Sequence, residues 1–174
     1  AVEAGIAQQQ AEIDAIIANP DAPTFENVVA AYEKSGAILD RVVGVLFNLS
    51  ETDGTESLNA IVEKVLPLLS AHSDNITMNP AFFAKVEVLY NDMENLGLNQ
   101  EQKMVLKKMY NAFVKNGIAL GEAEQARMRE INMELSSLSN TFGNNLLAEN
   151  NAFAEKFGVT ISEYPVAMAS TEDR

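Results

Sequence analysis

Between Leu120 and Asn151 the chain carries one uninterrupted helical pattern, and few folds can accommodate it. After Gly121, Met128, Ile131, Leu135, Leu138, Phe142 and Leu146 follow at intervals of three and four residues. That spacing lines one face of an α-helix. At 1.5 Å per residue the helix is about 45 Å long, a spine against which shorter helices can pack. Ser136, Ser137, Ser139 and Asn140 are weak helix formers, so packing against partner helices must hold the element. The pattern specifies a scaffold, not a reaction centre.

The chain before the spine reads as shorter helices. Residues 1–18 form a first helix with Ile6, Ile13, Ile16 and Ile17 on its apolar side, stopped by Asn19-Pro20-Asp21-Ala22-Pro23. Thr24 is an N-cap with Glu26 in the first turn, opening a second helix to about Leu49. That helix is expected to bury Val28, Tyr32, Ile38, Leu39, Val42, Val45, Leu46 and Leu49. Residues 50–55 read as a turn, and its lone Gly54 lacks the ligand spacing of a calcium loop. A third helix carries Leu58, Ile61, Val62, Val65, Leu68, Leu69 and Ile76, with a kink or break expected between Glu63 and Pro67. Asn79-Pro80 opens a fourth helix that Gly97 stops, and Asn99 with Gln102 forms a capping box for a fifth, ended by Gly117. Beyond the spine, residues 159–161 and 164–165 look extended, and residues 170–173 read as another helix start. The fold class is therefore all-α: a bundle of about six helices with a long C-terminal spine and a short irregular tail. Residues 1–152 form the helical region and 153–174 the connecting tail. Ala1 already lies within a helical pattern and the chain stops on a helix start, so both ends are expected to continue in a longer polypeptide.

Composition removes whole classes of function. A chain of 174 residues suits one domain burying about 70% of its unfolded surface. A net charge of −13 repels nucleic acid and anionic membranes, and no apolar run approaches the ~20 residues of a membrane helix. The absence of cysteine eliminates disulfides, thiolate nucleophiles and Cys-ligated zinc. The one histidine, His72, has Leu69 three residues before it where a di-iron bundle needs a glutamate, and no His-Glu-x-x-His occurs. Its place near the apolar face of the third helix marks a satisfied histidine near a helix end rather than a ligand or base. No nucleophile elbow, phosphate loop or dinucleotide fingerprint is present, and no spacing singles out an acid–base pair of carboxylates. Asn48-Leu49-Ser50 and Asn75-Ile76-Thr77 match the glycosylation pattern, at the frequency expected by chance in an Asn-rich chain. The residues themselves nominate no catalytic, cofactor-binding or metal-ligating side chain.

A resemblance adds what spacing does not. Asp21-Ala22-Pro23-Thr24-Phe25-Glu26-Asn27 resembles a segment near the start of the thimet-type oligopeptidases, a zinc peptidase family. The likeness continues through residues 69–76, Asn79-Pro80-Ala81-Phe82-Phe83, residues 97–102, Tyr110-Asn111-Ala112-Phe113-Val114, and residues 132–145. These segments, in this order over about 150 residues, are most similar to the bacterial peptidyl-dipeptidase (Dcp) branch. The resemblance implies the N-terminal helical part of a larger two-lobed, all-helical peptidase whose deep channel admits short peptides. In that family zinc is held far downstream by His-Glu-x-x-His and a later glutamate. Nothing here matches those positions, so no metal or catalytic residue carries over, and His72 corresponds to a histidine of the helical region. The expected partners are the parent's own catalytic lobe and short peptides, with zinc only in the parent, and both cytoplasm and periplasm are open to it. The tail departs from the family: Tyr164 to Met168 resembles a segment normally reached by a longer connection, through a natural shortening or a deletion. The rival expectation is a free-standing helical binding or scaffold module. A fragment, unlike such a module, should leave apolar surface where the catalytic lobe belonged, and so self-associate or expose patches.

Overall fold

The computed structural model describes residues 1–53 and 55–158, and they are all-α, with no strand among them. The sequence expectations for residues 159–173 lie outside the described residues. The chain divides into two compact units, residues 1–134 and the part from Leu135 onward.

Helix α1 (Val2–Ala18) ends where Asn19 turns extended ahead of Pro20. The next helix begins as a π-helical segment, Phe25–Ala30, that passes into α2 (Ala31–Lys34). Thr24 caps it reciprocally with Asn27: each backbone N–H donates to the other's side chain, at 3.1 and 2.7 Å. The expected continuous helix from Thr24 to Leu49 is divided. Ser35 is extended, Gly36 sits at φ +73°, and α3 (Ala37–Asp53) starts afresh. Gly36 N–H donates to Glu12 Oε2 at 2.7 Å, so a bond across to α1 stabilises the break. The new start resets the helical phase, and Ile38, Val45 and Leu49, expected inside, lie exposed whereas Leu39 is buried.

Helix α4 (Glu56–Thr77) runs through Pro67 without the possible break. Val62 and Val65 before the proline and Ile76 after it are buried, so packing on both sides offsets the lost backbone bond. On its other face Ile61 and Leu68, expected inside, are exposed. Asn79 caps α5 (Pro80–Asn91), accepting from Phe82 N–H at 3.0 Å, with Pro80 in the first turn. This helix stops at Asn91, before the expected Gly97, which takes φ +66° only after a run of turns. Asn99 and Gln102 form the expected capping box on α6 (Gln100–Lys115). Gly117 ends it in a Schellman arrangement: Gly117 N–H bonds Val114 O and Ile118 N–H bonds Phe113 O, both at 3.1 Å.

One cluster fills the interior, with Ile13 and Ile16 from α1, Val28 and Val29, and Ile76 meeting Phe82, Val86, Leu89, Leu106, Met109 and Phe113. Phe82 meets Phe113 edge-on at 5.4 Å and Tyr32 at 5.5 Å, while Tyr90 and Tyr110 stack at 3.9 Å. The spine, α7 (Glu122–Phe157), continues beyond its expected end at Asn151.

Candidate functional site

Two part-buried polar clusters and one exposed apolar face stand out. The first joins α1 to α4. His72 is buried, and its Nε2 lies 2.8 Å from Gln9 Oε1. The Gln9 amide nitrogen donates to Ser35 Oγ at 3.3 Å, which itself donates to Tyr32 O at 2.7 Å. With its amide so oriented, Gln9 presents an acceptor, and His72 Nε2 carries the proton toward it. Burial holds the imidazole pKa below its ordinary value. The neutral ring therefore fastens three segments, as the sequence reading of a satisfied histidine expects. Among the described residues no three His, Cys, Asp or Glu side chains form a group that could hold a metal.

The second cluster is centred on Asp74, which is only 3% exposed. Its Oδ1 accepts from Asn116 Nδ2 at 3.0 Å and Asn132 Nδ2 at 2.8 Å. Asn132 Nδ2 also donates to Asn116 Oδ1 at 3.0 Å, and Asn116 Nδ2 donates closely to Thr77 Oγ1. The end of α4, the C-cap of α6 and the first part of α7 are thus joined by amide and carboxylate groups. Nearby, Arg129 Nη1 donates to Asn75 Oδ1 at 3.1 Å. Sequence reading missed this cluster because polar residues at separations of 42 and 58 leave no periodic trace.

The third feature belongs to α7. Met128 and Ile131 are half-buried, but Leu135, Leu138, Phe142 and Leu146 are 55%, 56%, 70% and 52% exposed. The apolar face expected to pack on partner helices is thus open beyond Glu134 among the described residues. From Leu135 to Ala148 the helix also carries no charged side chain, in a chain of net charge −13.

No family model matches the chain. It is 34% identical to the dipeptidyl carboxypeptidase of Salmonella typhimurium, an alignment covering 87% of this chain and 22% of the relative. It is 32% identical to the dipeptidyl carboxypeptidase of Escherichia coli, over 100% of this chain and 26% of the relative. Against oligopeptidase A of Salmonella typhimurium the identity is 26%, over 84% of this chain and 22% of the relative. The chain spans about a quarter of the length of the curated relatives it matches. The chain is thus a homologue of a fragment of dipeptidyl carboxypeptidase and oligopeptidase A, both peptidases of the thimet-oligopeptidase type.

Proposed function

We propose that this chain is the non-catalytic N-terminal helical part of a zinc-dependent oligopeptidase of the peptidyl-dipeptidase type. There it forms one wall of the substrate channel and restricts the enzyme to short peptides. The observation that carries the reading is the alignment with dipeptidyl carboxypeptidase over the whole chain and only 26% of the relative. The open stripe on α7 supports it, because a part of a larger enzyme keeps apolar surface for the remainder of its parent. In the parent, zinc bound outside this chain would supply Lewis-acid chemistry, polarising the scissile carbonyl and activating water. The residues of this chain orient and exclude; none takes part in the bond cleavage.

The test is made on the parent reading frame. Expressed whole, it should release dipeptides from the C-terminus of short peptides, spare folded proteins and lose activity on chelation. The 174-residue chain alone should hydrolyse no peptide and retain no stoichiometric zinc after dialysis. Tight zinc retention by this chain, or a parent frame lacking His-Glu-x-x-His, would sink the proposal and leave a free-standing helical module.

A further inference from the structure

The open stripe on α7 has a definite chemistry along its length. Leu135, Leu138, Phe142 and Leu146 are exposed at intervals of three and four residues, a narrow seam that fits one helix rather than a sheet. Between them Ser136, Ser139, Asn140, Gly143 and Asn144 are weak helix formers, so a helix bare on this side has little stability of its own and needs a cover. No charge lies from Leu135 to Ala148, but a carboxylate stands at each end: Glu134, four residues before Leu138, and Glu149, three after Leu146. Both continue the spacing of the stripe and both are exposed. Neither belongs to an ion pair among the described residues, where the pairs are Lys103–Glu94 and Arg127–Glu130. At 1.5 Å per residue the two carboxylates are about 22 Å apart along the helix.

This pattern selects among occupants. A second copy would set carboxylate against carboxylate at both ends, whether the two helices ran parallel or antiparallel, on top of a net charge of −13 on each chain. An anionic membrane meets the same repulsion. We propose that the stripe is covered by one helix of the parent polypeptide from outside these 174 residues, apolar along one face and bearing a lysine or arginine at each end of that face, about 15 residues apart. The proposal rests on the reading of this chain as part of a larger peptidase, and about three-quarters of the matched relatives lies outside it. The two cations meet Glu134 and Glu149, and the apolar residues seat between Leu135, Leu138, Phe142 and Leu146 as in a coiled-coil seam. The apolar contacts hold the pair together, and the charges decide which helix seats and in what register.

The experiment places the photo-reactive residue p-benzoylphenylalanine at Phe142 of the full-length parent and identifies by peptide mass spectrometry what lies against it after irradiation. The proposal expects a cross-link within one chain, to a helical segment outside these 174 residues whose apolar face lies between two Lys or Arg residues. A cross-link to a second copy, one to residues 1–174, one to a segment lacking the two cations, or none at all would overturn it. A second variant leaves Phe142 in place. Glu134→Lys combined with Glu149→Lys should speed amide hydrogen exchange across residues 135–148 of the parent by about fivefold or more, the equivalent of about 1 kcal/mol. The same pair of substitutions should leave exchange unchanged in the 174-residue chain, where no partner cation faces the carboxylates. Equal effects in both, or none in the parent, refute the charge pairing. Peptidase activity is scored separately on the unmodified parent. An active parent with the cross-link elsewhere sinks the docking surface alone, and an inert parent with the expected cross-link sinks the peptidase reading alone.

Discussion

Replacing Gly36 with alanine probes the junction that separates α2 from α3. Gly36 sits at φ +73°, a left-handed conformation that costs an L-residue about 1–2 kcal/mol. An added Cβ would also run into the Gln9 side-chain amide. Gln9 can move aside only by releasing His72 Nε2 and Ser35 Oγ, two part-buried hydrogen bonds of about 1 kcal/mol each. Gly36→Ala should therefore destabilise the chain by about 3–4 kcal/mol. In a Gln9→Ala background the obstacle is gone and the hydrogen bonds are already lost, so the same substitution should cost only the backbone strain, about 1–2 kcal/mol. A double-mutant cycle on urea unfolding, followed by far-ultraviolet circular dichroism at neutral pH, should return a coupling of about 2 kcal/mol. Additivity within about 0.5 kcal/mol would mean that Gln9 does not brace this junction, and the reasoning would fail.

Phe82 is fully buried between Tyr32 and Phe113, so Phe82→Ala should cost about 3–5 kcal/mol in the same assay, and a loss below about 1 kcal/mol would remove it from the core. Because burial lowers the folded pKa of His72, the unfolded chain takes up the proton first as acid is added. The histidine's contribution is therefore complete above about pH 6.5 and declines as pH falls through the folded pKa; His72→Gln should flatten that part of the stability profile. Glu12 is held below its ordinary pKa first by Gly36 N–H and then by Gln8, which adds a separate decline below about pH 4.5; Glu12→Gln should remove only this one.

What the sequence made legible was local. Asn79-Pro80, Asn99 with Gln102, and Gly117 act within a few residues of the helix ends they define, and the structure uses each for its expected purpose. Gly36 was hidden because apolar residues on both sides of it fit one helical period. The bonds that stabilise the break come from Glu12 and Gln9, on another helix. Pro67 shows the reverse case, a local rule for breaking a helix outweighed by the burial of Val62, Val65 and Ile76. On α7, periodicity correctly found an apolar face but carries no information on what covers it. The Asp74 cluster was illegible because its members come from three elements and share no spacing. Kinship with the peptidases was readable only because whole segments, rather than single residues, matched in order.

The cap that ends α6 also bears on how this protein ages. Asn116-Gly117 is an asparagine–glycine step, the dipeptide most prone to spontaneous deamidation, because an unhindered glycine nitrogen can attack the preceding side-chain carbonyl. Here that nitrogen is turned away to Val114 O, and the Asn116 amide is bound to Asp74, Thr77 and Asn132. Folded molecules are thereby shielded, while each excursion to the unfolded state exposes the step to cyclisation. An aspartate formed there would return as a second carboxylate against Asp74, where the neighbouring groups were arranged for an amide. Damage acquired while unfolded would then hinder refolding, so the cap makes the chain's chemical lifetime a record of the time it has spent unfolded.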